Sequence, residues 1–335
     1  MTVHEHIAEA VKTPQLVRLG GNVVLARFET IKIYSALVAV RTLLERGVVA
    51  PGQTLVDSSS GIYATSLALA CHRYRMRCHI VASTTVDATV RAQLEVLGAT
   101  VEQMPPSSSL QLDQQARVRR VHELLAQRPD MHWMRQYHDK IHYVGYADFA
   151  DLVAADLDVA ALTVVGGVGS GASTGGVVEY LRKQDPTVRL VGLQPFGSVT
   201  FGSEAFSDPE SIIAGIGSSI PFDNVRHELY DAVHWLDFRH AMAGAVALLR
   251  EHAVFAGLST GAAYLVACWE ASRAPGRTHL VIGADTGHRY VERVFARHQE
   301  ALDPAGLTPT EIQALEQLAM PWSRMAWDRR SYPPA

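Results

Sequence analysis

Lysine is nearly missing from this chain: Lys12, Lys32, Lys140 and Lys183 stand against 26 arginines. A reaction that needs a side-chain amine has only those four to draw on. Cysteine is also scarce. Cys71, Cys78 and Cys268 do not make a disulfide framework, and they read as small buried hydrophobes. No run of about 18 apolar residues occurs, so no membrane span is expected. Met1 to Val11 has no apolar signal core and carries His4, Glu5, His6 and Glu9. No secretory leader is expected, and a cytoplasmic location follows by default. An excess of positive charge is absent as well. The net charge is −4 and the pI about 6.4, so no basic field exists to draw nucleic acid or an anionic membrane surface.

What is present suits a large buried core. The chain has 335 residues, 48% apolar and 19% charged, enough for two domains or one large one. Leu16–Leu19 and Asn22–Glu29 read as strands joined by Gly20-Gly21. A helix follows over 33–45 and stops at Gly47. Strands are expected at 54–57, 78–82 and 100–103, with helices at 63–74, 85–97 and 111–127. The second half repeats the alternation: strand 162–166, helix 176–183, strand 189–193, helices 238–252 and 261–271, and strand 280–283. Residues 310–318 read as a helix, followed by a tail on the surface or on a partner. Strands alternating with helices mean an α/β fold with mainly parallel sheets.

The sharpest local signal is Gly167-Val-Gly169-Ser170-Gly171-Ala172-Ser173, between an apolar strand and a helix start. Such a turn gathers backbone N–H groups and the Ser170 and Ser173 hydroxyls at a helix N-terminus, a setting suited to phosphate. Ser58-Ser59-Ser60-Gly61 makes a second strand-to-helix turn, an anion site by the same geometry. Further motifs are Thr13-Pro14-Gln15, Lys32 at a helix start, Gly215-Ile216-Gly217, Gly257-Leu-Ser259-Thr-Gly261, and Asp285-Thr-Gly-His-Arg289-Tyr290. Each has an ordinary reading of its own. Lys32 alone is a solvated lysine, Ser259 an N-cap of the helix at 261–271, and Gln136 a loop glutamine.

Taken together and in order, these motifs resemble the cysteine synthase and cystathionine β-synthase family, the fold-type II pyridoxal phosphate enzymes, over roughly residues 13–295. The resemblance implies two α/β domains of the tryptophan synthase β type, with mainly parallel twisted sheets flanked by helices and the cofactor in the cleft between them. The smaller domain would span 36–145. The larger would join 1–35 to 146–300, with 301–335 a C-terminal helix and tail. Pyridoxal 5'-phosphate is the implied cofactor, a small amino acid the substrate and a homodimer the assembly. By the same resemblance Lys32 is the Schiff-base lysine that also moves the α-proton, with Lys140 in reserve. Gly167, Gly169, Ser170, Gly171, Ala172 and Ser173 hold the phosphate, and Ser259 bonds the pyridine nitrogen. Ser59, Ser60, Gly61, Tyr63, Gln136 and Gly217 meet the substrate.

Two departures stand out. The segment before Lys32 is shorter than in the family. Ile62 replaces the asparagine that bonds the cofactor's 3-hydroxyl, leaving Tyr63, Tyr34, His138 or Asp139 as replacements. The implied activity is β-replacement on an amino acid with a β-leaving group, through an aminoacrylate. β-Elimination and a non-catalytic cofactor-binding relative are the alternatives. A nicotinamide oxidoreductase fits less well, because no acidic residue ends the strand at 189–193. His132, His138 and His142 cluster without a common zinc-ligand spacing, and no metal is expected.

Overall fold

The computed structural model describes residues 3–106, 110–211 and 215–332. In chain order the elements are α1 (Ile7–Ala10), β1 (Gln15–Gly20), β2 (Val23–Arg27), α2 (Ile33–Glu45), β3 (Thr54–Ser59), α3 (Ile62–Tyr74), β4 (Arg77–Ala82), α4 (Ala88–Val96), β5 (Thr100–Gln103), α5 (Leu110–Gln127) and β6 (His132–Trp133). There follow α6 (Ile141–Val144), α7 (Tyr146–Asp156), β7 (Leu162–Gly167), α8 (Ala172–Gln184), β8 (Arg189–Pro195), β9 (Ala232–Leu236), α9 (Phe238–His252), α10 (Leu258–Arg273), β10 (Thr278–Gly283), β11 (Thr310–Ile312) and β12 (Trp322–Ala326).

The strands form two sheets. The smaller has the order β5-β4-β3-β6, all parallel. The larger runs β1-β2-β10-β7-β8-β9-β12-β11, parallel from β2 to β9 and closed at one end by the β1–β2 hairpin. Its central strands are apolar on both faces, as parallel strands covered by helices must be. Neighbouring residues divide between two packing layers. Val164, Leu190 and Leu280 face the side of α7 and α8, where Phe149, Val153, Val177 and Leu181 are buried. Val165, Val191 and Val281 face α9 and α10. The first of these clusters continues through α2 and α3 into the smaller sheet, reaching Leu55 and Ile80.

Helix starts follow local chemistry. Asp87 accepts from the Val90 N–H and Asp237 from the His240 N–H, each relieving an orphan donor of α4 or α9. Three expectations need correction. α8 opens at Ala172, inside the glycine turn, and not at 176. α10 opens at Leu258 behind Gly257, so Ser259 lies in the first turn and is not its N-cap. The helix expected over 310–318 is strand β11 and a short 3-10 turn. The tail is not a surface appendage either. β12 pairs antiparallel with β9, and Trp322 and Trp327 are fully buried. Trp322 Nε1 donates to His234 Nδ1 at 3.0 Å, and His234 Nε2 meets Glu270 at 3.1 Å. Trp322-Ser-Arg-Met-Ala has no clean two-residue alternation and buries Trp322, Ser323 and Met325, so it is the distant partner, β9, that makes it a strand.

Candidate active site

The site forms where the C-terminal ends of β3, β7 and β10 and the turns that follow them converge, the usual place for a ligand in a parallel α/β sheet. The short lysine segment is pinned to the end of β10. Ile31 N–H donates to Ala284 C=O at 2.9 Å, and Thr30 forms a bridge with Asp285. Lys32 then occupies the N-cap position of α2, between buried Ile31 and Ile33. Its Nζ lies 3.3 Å from Gln136 Oε1 and 5.9 Å from the Tyr63 ring centre. Burial lowers the amine to about 8, against an opposing pull from Asp57 and with a smaller push in the same direction from the Arg289 charge. Of the four lysines, this is the one prepared to act as a base near neutral pH. Lys140, the reserve, is exposed at the start of α6. Lys12 pairs with Asp148 at 2.6 Å, and Lys183 lies over the Tyr180 ring.

Asp57 lies beneath this arrangement and has no signal in the sequence beyond ending an apolar strand. It is 1% exposed and accepts from the N–H groups of Ser58 and Gln136 and from Trp133 Nε1. Burial lifts its carboxyl to about 6 against those bonds. Two of these donors, Gln136 N–H and Trp133 Nε1, tie β3 to the segment that carries Gln136. Gln136 in turn gives Nε2–H to Ser58 C=O at 2.6 Å, leaving Oε1 for Lys32.

The Ser58–Gly61 turn is built from within. Ser59 Oγ accepts from Gly61 N–H at 3.1 Å and Ala64 N–H at 3.0 Å, so it shapes the turn itself. Gly61 has φ +135°, and a Cβ there would meet the Arg289 guanidinium at 2.8 Å. Ser60 C=O receives Arg289 Nη2–H at 2.7 Å and the Thr85 hydroxyl at 2.9 Å. Arg289, from the Asp285–Tyr290 motif, thereby fastens this turn to the end of β10. Ile62 points its side chain at Gly215 across the cleft, where a Cβ on that glycine would come within 3.0 Å.

On the far side, a Cβ on Gly169 would collide with Gly215 C=O, and one on Gly171 (φ +78°) would lie 2.7 Å from Asn224 C=O. Gly217 N–H donates to Val168 C=O at 2.8 Å, locking the Gly215–Gly217 turn to the glycine loop. The first N–H groups of α8 have no intrahelical acceptor. The Ser170, Ser173 and Ser259 hydroxyls make no hydrogen bond to another described residue. A Cβ on Gly167 would sit 3.6 Å from Ser259 Cβ, so the serine and the loop share one wall. One activated amine, a glycine cradle at a helix N-terminus and three uncommitted hydroxyls form a donor set that fits an aldehyde carrying a phosphate.

Among the candidates to replace the family asparagine, three are already engaged. Tyr34 OH bonds Lys12 C=O, His138 pairs with Asp223, and Asp139 caps the Ile141 N–H. Tyr63 OH is buried with no partner among the described residues, which leaves it as the available group. His142 is held between Ser35 and Met134 C=O and burial lowers it to about 4, so it is a neutral packing residue. Arg117, on α5, also lines the cavity between Lys32 and Gly217. Sequence reading passed over it because α5 looks like a polar surface helix.

The sequence profile of the pyridoxal-phosphate dependent enzymes matches residues 24–284. The chain belongs to that family. It is 31% identical over 265 residues to the N-(2-amino-2-carboxyethyl)-L-glutamate synthase of Ralstonia nicotianae, covering 76% of each chain. It is 23% identical to the O-acetylserine dependent cystathionine beta-synthase of Bacillus subtilis, over 88% of this chain and 98% of that protein. The crystal structure of the O-acetylserine dependent cystathionine beta-synthase from Helicobacter pylori superposes with a TM-score of 0.79 at 21% identity. That match covers 88% of this chain and 99% of the other. The fold is that of the fold-type II enzymes, pyridoxal phosphate is the cofactor, and the chemistry is β-replacement on an amino acid.

Proposed function

We propose that this chain joins the β-carbon of a serine-type donor to the amino group of a second, acidic amino acid. The observation that carries it is the Lys32–Gln136–Ser58 arrangement facing the glycine cradle. The Ralstonia nicotianae relative, at 31% identity, and one of Cupriavidus metallidurans, at 30%, are both N-(2-amino-2-carboxyethyl)-L-glutamate synthases, which supports an amine nucleophile. In this reading Gly167, Gly169, Ser170, Gly171, Ala172 and Ser173 hold the cofactor phosphate, and Ser259 accepts or donates at the ring nitrogen without charging it. Pyridoxal phosphate, when bound, supplies the electron sink that lets an α-proton leave and a β-substituent depart. Lys32 Nζ takes that proton, and its lowered pKa keeps a useful fraction of it unprotonated at pH 7 to 8. The turn Ser59, Ser60 and Gly61, with Gln136, orients the donor's α-carboxylate. Tyr63 and Gly217 shape the space for its side chain. Gln136 holds the lysine amine in register between proton transfers.

The assembly we propose is a cytoplasmic homodimer, with residues 36–145 forming the smaller domain. No helix among the described residues is long and apolar enough to cross a membrane. Light scattering of the purified protein tests the dimer. The function is tested by the visible spectrum and by mass spectrometry of products from O-acetyl-L-serine or O-phospho-L-serine with L-glutamate. A yellow protein that forms a glutamate adduct supports the reading. A yellow protein that releases only a keto acid and ammonia moves it to β-elimination. A colourless protein that takes up no cofactor overturns it.

A further inference from the structure

A second cavity, of about 420 Å³, adjoins the catalytic one and shares Ile62 with it. β-Replacement gives it no task. Gln93, on α4, reaches its wall from the smaller sheet, and Asp285 and Arg289 from the end of β10 in the larger. Asp285 is 4% exposed. Its Oδ1 has no hydrogen-bond partner among the described residues, and its Oδ2 takes Tyr290 OH at 3.4 Å. Burial lifts this carboxyl to about 6, against the pull of the Arg289 charge. Arg289 gives Nη2–H to Ser60 C=O at 2.7 Å and to Thr85 C=O at 3.3 Å, while its Nε and Nη1 have no partner among the described residues. The two side chains therefore lie in one wall, feel each other's charge and do not pair.

A buried carboxylate and a buried guanidinium with hydrogen-bonding capacity left over have lost hydration that a partner must restore. One or two bridging waters do not fill the space, since a water takes about 30 Å³. Charges of both signs line the rest, Arg27 against Glu29 and Asp87. Such a lining suits an occupant that carries both signs itself: a carboxylate for the guanidinium fork and an ammonium for the carboxylate. The unpartnered atoms are buried, so an occupant meets them as the two side chains turn towards it. Arg289 does not turn alone. It holds Ser60 C=O and packs on Gly61, in the turn assigned to the donor's carboxylate.

We propose that this cavity is a regulatory site for a free α-amino acid, its carboxylate on Arg289 and its ammonium on Asp285, coupled to the catalytic site through the Ser60–Ile62 turn. The coupling is a difference in affinity between two arrangements of that turn, and it acts equally in both directions.

The test uses the holoenzyme with its cofactor fixed to Lys32 by borohydride, so that an added amino acid cannot condense with it. The common L-amino acids are screened singly by thermal shift. The best binder is then titrated by calorimetry beside its analogues lacking the amino group or the carboxyl group. One molecule is expected to bind per chain, and each analogue at least tenfold more weakly. Asp285→Asn is expected to weaken binding tenfold or more. Gln93→Trp, at an exposed position of α4, fills the cavity from its wall and is expected to abolish binding with little change in Tm. In turnover by the unmodified enzyme, the binder is expected to change KM for the donor several-fold in the wild type and not in Gln93→Trp. An equal change in both is competition at the catalytic site and overturns the regulatory assignment. No amino acid bound, an amine-free analogue that binds as well as its parent, or binding that survives Gln93→Trp overturns the site.

Discussion

At the scale of single residues, two ionisable groups set the behaviour of the site. Lys32 has its amine lowered to about 8, so the folded protein resists charging it. Lysine in the unfolded chain titrates near 10.4, which means the unfolded state binds the extra proton in the interval between. Lys32 therefore weakens the cofactor-free fold below about pH 8, and the penalty fades as pH rises toward 10. Lys32→Met is expected to raise the Tm of the cofactor-free protein at pH 7 and to change it little at pH 10, while abolishing the yellow band and product formation. Equal shifts at the two pH values would contradict the assignment. Asp57 pulls the amine upward and, with its own carboxyl at about 6, is ionised above neutrality. Asp57→Asn is expected to move the midpoint of cofactor uptake against pH downward from that of the wild type. Asp57 and the perturbation of Lys32 were not legible in the sequence. Lys32 could be singled out because lysines are few and its neighbours match the family, but its perturbation depends on burial and on Asp57 and Arg289, which lie 25 and 257 positions away and act on it only through the fold.

At the scale of elements, turns punctuated by glycine and serine were the readable part. The strand and glycine loop around 162–171 stand where the residue pattern places them, with the helix opening four residues earlier than expected, at Ala172. Gly171 has φ +78° and abuts Asn224 C=O. Gly171→Ala forces a left-handed alanine and a close contact, and is expected to lower stability by at least about 1–2 kcal/mol and weaken cofactor retention on dialysis. Unchanged retention would argue against this loop as the phosphate cradle. The C-terminal segment was the unreadable part. Thr310–Leu318 carries helix-compatible residues, and nothing nearby says that β9 offers a free edge. The choice between helix and strand is made by pairing in two steps: β11 lies on β12, Thr310 opposite Ser323, and β12 lies on β9, Trp322 opposite Leu236, 86 positions earlier. Propensity loses to such contacts whenever they bury large side chains. Trp322→Ala is expected to cost about 3–5 kcal/mol in chemical denaturation, as deletion of a fully buried aromatic does. A loss below 1 kcal/mol would mean that β12 is an ornament on the sheet.

At the scale of the molecule, the two sheets are joined across the cleft by a small number of polar ties as well as by apolar packing. Arg289 holds Ser60 C=O and packs on Gly61 from the larger sheet, and Gln114 holds Ser219 from the smaller one. Arg289→Met removes the first tie and a positive charge near Lys32. It is expected to raise KM for the donor several-fold and to shift the acidic limb of the rate profile to higher pH, since the charge helps keep the amine low and unprotonated. A change in kcat alone, with no pH shift, would assign Arg289 a purely structural part. The alternation of strands and helices made the parallel architecture readable. Which sheet each strand joins was not, because both halves use the same pattern and only long-range pairing separates them.

That pairing has a consequence for how the protein is made. β2, in the first thirty residues, sits beside β10, about 250 residues later, and the whole of the smaller sheet is encoded between them. A chain emerging from the ribosome presents the β1–β2 hairpin long before its neighbour exists, while the smaller sheet has all its strands together. The smaller sheet can form during synthesis, whereas the larger one must wait with an apolar strand edge open to other chains. Expression at slow elongation should therefore favour association of nascent chains through that hairpin. Lys32, a few residues past β2, is among the last features to reach its final setting.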